Sequence, residues 1–376
     1  MTRITFSTTR CQSVVSNVGA WTRREFVRGA AGLVAMGRVP GGTPQLRIAY
    51  VASGRGYLEV FSVVGDNWML LQRMPVRAPA CLLFSNDQRT LYVSNEVDEY
   101  EGLPRGTVEA FGVDDQDGRL TQLGHTALSL SATRPRHMAL SPDGKMLAVA
   151  AYGGGLYNLL PVAGDGSLGP PSGIFKAAGC GAHPLQSSAH PHTLCFDVSG
   201  RSLLTTDFGS DRVTTFSVEH GRLVRQSQRF TGEGSGVGDC ALHPAGSVLY
   251  AQLQLENTLA CYRVDPSTRD AGEAIQHLSF ASLCTFALHR SGRVLYTVHE
   301  KPNELRLWHI DRNGRLVPFK AVRLGYAAPH RIILHNDSVY LLGGGSGAIR
   351  EVDRRSLRSL RVARVDEAKG LLFKMM

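Results

Sequence analysis

No run in this 376-residue chain approaches the roughly 18 to 20 apolar residues that a helix needs to cross a bilayer, so no membrane span is expected. Its seven cysteines (Cys11, Cys81, Cys180, Cys195, Cys240, Cys261 and Cys284) form no C-x-x-C pair, which argues against a zinc knuckle or a dithiol redox centre. Cys81, Cys195, Cys240 and Cys284 fall near one register of a repeat and read as buried free thiols, with Cys284 placed to be accessible. Aromatic residues make up only 7% of the chain and do not alternate with the basic ones. The net charge of +9 therefore does not imply nucleic-acid binding, which needs stacking platforms along a basic track. Arg350, Arg354, Arg355, Arg358 and Arg361 read as a solvated final strand and turn, and the excess charge as a mild attraction for small anions. No linker interrupts the chain after residue 45.

What is present is a recurring hairpin. Its turns are Asn86-Asp87-Gln88, Ser141-Pro142-Asp143-Gly144, Asp197-Val198-Ser199-Gly200, His243-Pro244-Ala245-Gly246, His289-Arg290-Ser291-Gly292 and the shortened His335-Asn336-Asp337. An apolar run follows each, with a landmark residue at Tyr92, Ala148, Leu204, Tyr250, Tyr296 and Tyr340; Tyr50 adds a seventh, and the steps between landmarks are 42, 56, 56, 46, 46 and 44 residues. A period of that length points to an array of blades. The runs are short, β-prone and bounded by Gly, Pro and Asp, and further alternating runs such as Val108 to Val113 and Val213 to Val218 close each unit. About four strands per unit follow. One such sheet cannot bury both of its faces, whereas seven arranged radially can. The expected fold is all-β, a seven-bladed propeller of four-stranded antiparallel blades over residues 46–365, with a tail at 366–376.

Residues 1–45 read as a leader. Thr22-Arg23-Arg24-Glu25-Phe26-Val27-Arg28 precedes a small, apolar stretch from Gly29 to Gly37, a pattern similar to a twin-arginine export signal. A periplasmic or secreted location is expected on that reading, and a cytoplasmic one if the segment is only a disordered leader.

In a radial array the open ends of the innermost hairpins gather around one mouth of the channel. Those ends carry Ala80, Arg136, His192, Gly238, Cys284 and His330 before the turns, and Asn95-Glu96, Ala151-Tyr152, Asp207-Phe208, Leu253-Gln254, His299-Glu300 and Gly343-Gly344 after them. The turns keep their pattern while the ends vary, as expected of a site grafted on a scaffold.

Several stretches together resemble the lactonase family of seven-bladed propellers, which includes bacterial 6-phosphogluconolactonases and, more distantly, carboxymuconate cycloisomerases. They are Leu91-Tyr92-Val93-Ser94-Asn95-Glu96-Val97, Gly106-Thr107-Val108-Glu109-Ala110-Phe111, Pro135-Arg136-His137 with Tyr152-Gly153-Gly154-Gly155, Ala189-His190-Pro191-His192, Asp207-Phe208-Gly209-Ser210-Asp211-Arg212 and Gly234-Ser235-Gly236. The resemblance implies a sugar-lactone hydrolase, with His192, Asp207 and Arg212 at family positions. It also exposes departures. The family's G-S-G-P-R-H continues here as Gly234-Ser235-Gly236-Val237-Gly238-Asp239, Gln254 stands where the family has a glutamate, and His299-Glu300 where it has N-R.

Lactone hydrolysis needs a base for water, donors for the developing oxyanion and, for an anionic substrate, cations. His192 and His190 are the expected catalytic residues. Arg136, His137, Asp207, Arg212, Gln254, His299, Glu300, His330 and Arg331 are the expected substrate contacts, with no metal and no cofactor. The expected partner is a small anionic or sugar-like ligand, met by a monomer. Hydrolysis is expected to be weak or altered in substrate. The alternatives are a non-enzymatic ligand-binding or interaction propeller and, less directly, a metal centre built from His190, His192, Asp207 and His299.

Overall fold

The computed structural model describes residues 46–65, 67–283, 285–326, 329–336, 338–343, 347–353, 357 and 359–376; the leader expected at 1–45 and Cys284 lie outside them. The described residues form seven four-stranded antiparallel sheets and no helix. No helix of them is thus long and apolar enough to cross a membrane.

Each hairpin turn of the sequence joins the first and second strands of a blade. The turn requires one residue with positive φ, and Gly144, Gly200, Gly246 and Gly292 supply it at 73°, 71°, 70° and 67°. Gln88 and Asn336 take the same conformation at 57° and 51°, which explains a repeat that is mostly but not always glycine. The landmark residues lie on the second strands and are at most 1% exposed. Three of the tyrosines extend across the blade boundary: the hydroxyls of Tyr50, Tyr92 and Tyr250 donate to the carbonyls of Gly118, Gly166 and Gly314, each in a turn of the following blade. The burial that makes these positions apolar thus also staples neighbouring blades.

Runs such as Val108 to Val113, expected to close each unit, are third strands; a more exposed fourth strand, here Leu120–Ala127, lies outside them. The first strands pack against one another around the axis: Pro79–Phe84, Pro135–Leu140, Pro191–Phe196, Val237–Leu242, Thr285–Leu288, Pro329–His335 and Ala368–Met375. The last of these corrects the sequence reading. Residues 368–375 are not a tail but the innermost strand of the first blade, paired antiparallel with Arg47–Ser53. The strand was missed because its partner lies at the opposite end of the propeller sequence, so no hairpin turn marks it.

Candidate functional site at the channel mouth

Six first strands share one irregularity. Pro135 pairs with Ala151 but His137 with the adjacent Ala150, leaving Arg136 as an extra residue. His192, His330 and Lys369 are skipped in the same way, and Ala80-Cys81 and Gly238-Asp239 lie in the corresponding shifts. A β-bulge re-aims side chains at the end of a strand. Here it presents two successive positions of one strand to the channel, so a cavity of about 590 Å³ is lined by Arg136 with His137, His330 with Arg331, and Ala368 with Lys369. Ala80, Glu96, His192, Asp239, Gln254, Gly343, Gly347 and Glu367 complete the lining.

At its centre His192, 3% exposed, connects two blades. Its Nδ1 lies 3.1 Å from Thr193 Oγ1 and 3.4 Å from Asp239 Oδ1, and the Thr193 hydroxyl donates to the same carboxylate oxygen at 3.5 Å. Two acceptors on the Nδ1 side place the ring proton there. Nε2 is left as the lone pair, and it receives the Gln254 amide at 3.3 Å. Burial pushes His192 down to about 4; Asp239 opposes that shift, and Arg136, His137 and Arg331 reinforce it. At neutral pH the ring is uncharged. Burial also pushes His137 down to about 4, against the pull of Asp239, and its Nδ1 accepts the Leu194 N–H at 3.3 Å. Burial raises the Asp239 carboxyl, but attraction to His192, Arg331, His137 and Arg136 outweighs it and leaves the group below the ordinary carboxylate range. Arg136 lies over the Tyr152 ring, 5.0 Å from its centroid, and Arg331 Nη1 donates to the Lys369 carbonyl at 2.8 Å.

Of the residues expected here, His192, Arg136, His137, Gln254, His330 and Arg331 come together, and five do not line the cavity. His190 stacks on Tyr152 at 4.5 Å and its Nδ1 meets the Tyr152 carbonyl at 3.0 Å; it precedes the strand Pro191–Phe196, and the bulge at His192 breaks the alternation that would have set the two rings on one face. Asp207 Oδ1 accepts the backbone N–H groups of His190, Gly209 and Ser210, holding a loop. Arg212 Nη1 donates to Gln228 on the neighbouring strand. His299, 1% exposed, is held between Thr297 Oγ1 and the Ser282 carbonyl, each at 2.8 Å, and Glu300 is exposed at the following turn. The four donors imagined as a metal centre are thus committed separately, and no group of three metal-binding side chains occurs among the described residues.

The sequence reading missed Asp239 and Glu367, and Lys369 on the unrecognised strand; Glu96 stood in the rim register but was not selected. The available signal was the pair Arg136-His137: one register position per blade should have been read as two.

Comparison with known proteins agrees with this architecture. Residues 69–342 match the family model described as Lactonase, 7-bladed beta-propeller. The chain is 27% identical to a 6-phosphogluconolactonase of Bacillus subtilis over 45% of its own length and 47% of the relative's. It is also 27% identical to one of Photorhabdus laumondii, over 48% and 50%. The chain thus spans about half the length of the curated relatives it matches. The solved periplasmic gluconolactonase of Pseudomonas aeruginosa superposes with a TM-score of 0.77 at 24% identity, covering 87% of this chain and 99% of that one. A Lactobacillus plantarum protein gives 0.74 at 19%, covering 88% and 99%. With the model matching well over half of its residues, this chain belongs to the lactonase family of seven-bladed β-propellers.

Proposed function

We propose that this propeller hydrolyses a sugar lactone at the channel mouth, with His192 as general base. The supporting observation is the disposition of His192: an uncharged imidazole whose Nδ1 side is held by Thr193 and Asp239 while its Nε2 lone pair meets only the displaceable Gln254 amide at the cavity. Water attacking the lactone carbonyl gives its proton to Nε2, and Asp239 stabilises the imidazolium that forms. The negative charge developing on the carbonyl oxygen is met by donors from Arg136, Arg331 or Gln254. The ring C–O bond then breaks, the alkoxide takes the proton back from His192, and the product is the open hydroxy acid. Purified protein should accelerate opening of glucono-δ-lactone or its 6-phosphate above the spontaneous rate in heat-inactivated controls. Asp239→Asn should lower kcat about tenfold or more with KM little changed; equal loss in kcat and KM would argue against a role through His192.

Export is part of the same proposal. Arg23-Arg24 followed by Phe26 supports a twin-arginine route, and a periplasmic enzyme stands among the structural relatives. Changing both arginines to lysine should retain the protein in the cytoplasm, and unchanged fractionation would remove this part alone.

A further inference from the structure

We propose that the mouth is built for an uncharged, polyhydroxylated lactone and that Gln254, seated on Gly238, is the residue that selects it. This rests on the lactonase reading above and names the charge class of its substrate.

Gly238 and Gln254 are coupled. A Cβ added at residue 238 would lie 2.1 Å from Gln254 Nε2 and 2.5 Å from its Cδ, so any side chain there excludes the observed position of Gln254. The glycine and the glutamine, two apparent losses of charge in the sequence, are one rearrangement: the amide folds over the space the glycine leaves and reaches His192 Nε2. It brings a donor and an acceptor without charge, the combination that matches a hydroxyl or a carbonyl. His330 repeats the device, because a Cβ at Gly343 would lie 2.1 Å from its Nδ1.

The charges around this amide offset one another. Arg136, Arg331 and Lys369 line the cavity together with Glu96, Asp239 and Glu367. Arg136 packs on Tyr152, and Arg331 gives one N–H to the Lys369 carbonyl; each keeps donors for a single oxygen but does not present its whole fork to a phosphate. A phosphate monoester carries about −1.5 to −2 charge and is bound where cations converge in excess. In this mouth it would meet three carboxylates lining the same cavity as the three cations, so that repulsion offsets much of the attraction. Sugar hydroxyls, which both donate and accept, fit mixed carboxylate, guanidinium, amide and imidazole partners without that cost.

The test compares kcat/KM for glucono-δ-lactone and 6-phosphoglucono-δ-lactone, alongside calorimetric binding of the matching δ-lactam and its 6-phosphate, which do not hydrolyse. The expected result is at least a tenfold preference for the uncharged member of each pair. Gln254→Ala should erase most of it. Glu96→Gln with Glu367→Gln, which leaves Gly238 and its neighbours intact, should shift the ratio several-fold toward the phosphate. Preference for the phosphorylated member in either assay overturns the proposal, as does failure of both lactams to bind. Lactam selectivity without lactone turnover would uphold the charge class and remove the hydrolytic reading.

Discussion

Asp211 and Asp239 lie in neighbouring blades, and both stand in stretches that align with the family, but their surroundings differ. Asp211 is fully buried; its Oδ1 accepts from Gln186 Nε2 at 2.5 Å, Gly236 N at 2.6 Å and Ser235 Oγ at 3.2 Å, and its Oδ2 accepts from Gly234 N at 2.8 Å. Asp239 has 41% of its side chain exposed and is met by His192 and Thr193 side chains beside the cavity. A buried carboxylate whose oxygens accept from four loop donors, main-chain and side-chain alike, has no capacity left for a ligand; it determines the shape of loops. One that opens onto the cavity can change its bonding during a reaction. Asp211, in the most motif-like segment of the chain, is of the first kind, and Asp239, at the departure beside Gly238, is of the second.

The contrast can be broken most sharply at His192. Alanine there should cost about 10² to 10⁴ in kcat, the range of a general base, while the melting temperature changes far less than in a loop variant. Steady-state kinetics beside thermal denaturation separate the two. The complementary change, Asp211→Ala, should cost about 3 kcal/mol or more of stability, because several buried donors lose their acceptor together. Denaturant midpoints should show this loss, and the folded fraction should retain its kcat.

Acid provides a third test. His192 is pushed from its ordinary value down to about 4 in the folded state, so between about pH 6.5 and 4 the unfolded chain binds more protons than the folded one. Stability should be fully present above that window and fall as the pH drops through it, by roughly 3 kcal/mol for this group alone. In His192→Ala that part of the slope should vanish, whereas Asp211→Ala should keep it. Turnover should hold to about pH 5 and decline as the imidazole protonates. The smallest effect is expected far from both carboxylates: Tyr250→Phe deprives the Gly314 carbonyl of its donor and should cost about 1 kcal/mol with no change in kinetics.

The fold was legible because its rules are local. A turn needs one positive-φ residue, the strand after it must be apolar, and both constraints return every blade. The mouth was only half legible, since it depends on features that strand alternation does not encode. The bulge adds a second residue per blade to a register that otherwise yields one: His137 and Arg331 were among the expected contacts, whereas Asp239, in the same position, was not. His299 fits the rim pattern yet turns inward, where Thr297 and the Ser282 carbonyl hold it. Lys369 was out of reach for the reason its strand was, a pairing that spans the whole propeller.

That pairing has a consequence for how the molecule is made. As the chain leaves the ribosome, six blades can complete themselves in order of synthesis, but the first begins as a three-stranded ribbon with the Arg47–Ser53 edge unpaired. An open edge is a template for pairing with a wrong chain, and this one stays open until residues 368–375 arrive. Closure joins positions some 320 residues apart, a contact of the kind that slows folding. It also carries Ala368 and Lys369 into the mouth, so the cavity is completed by the same strand that closes the ring.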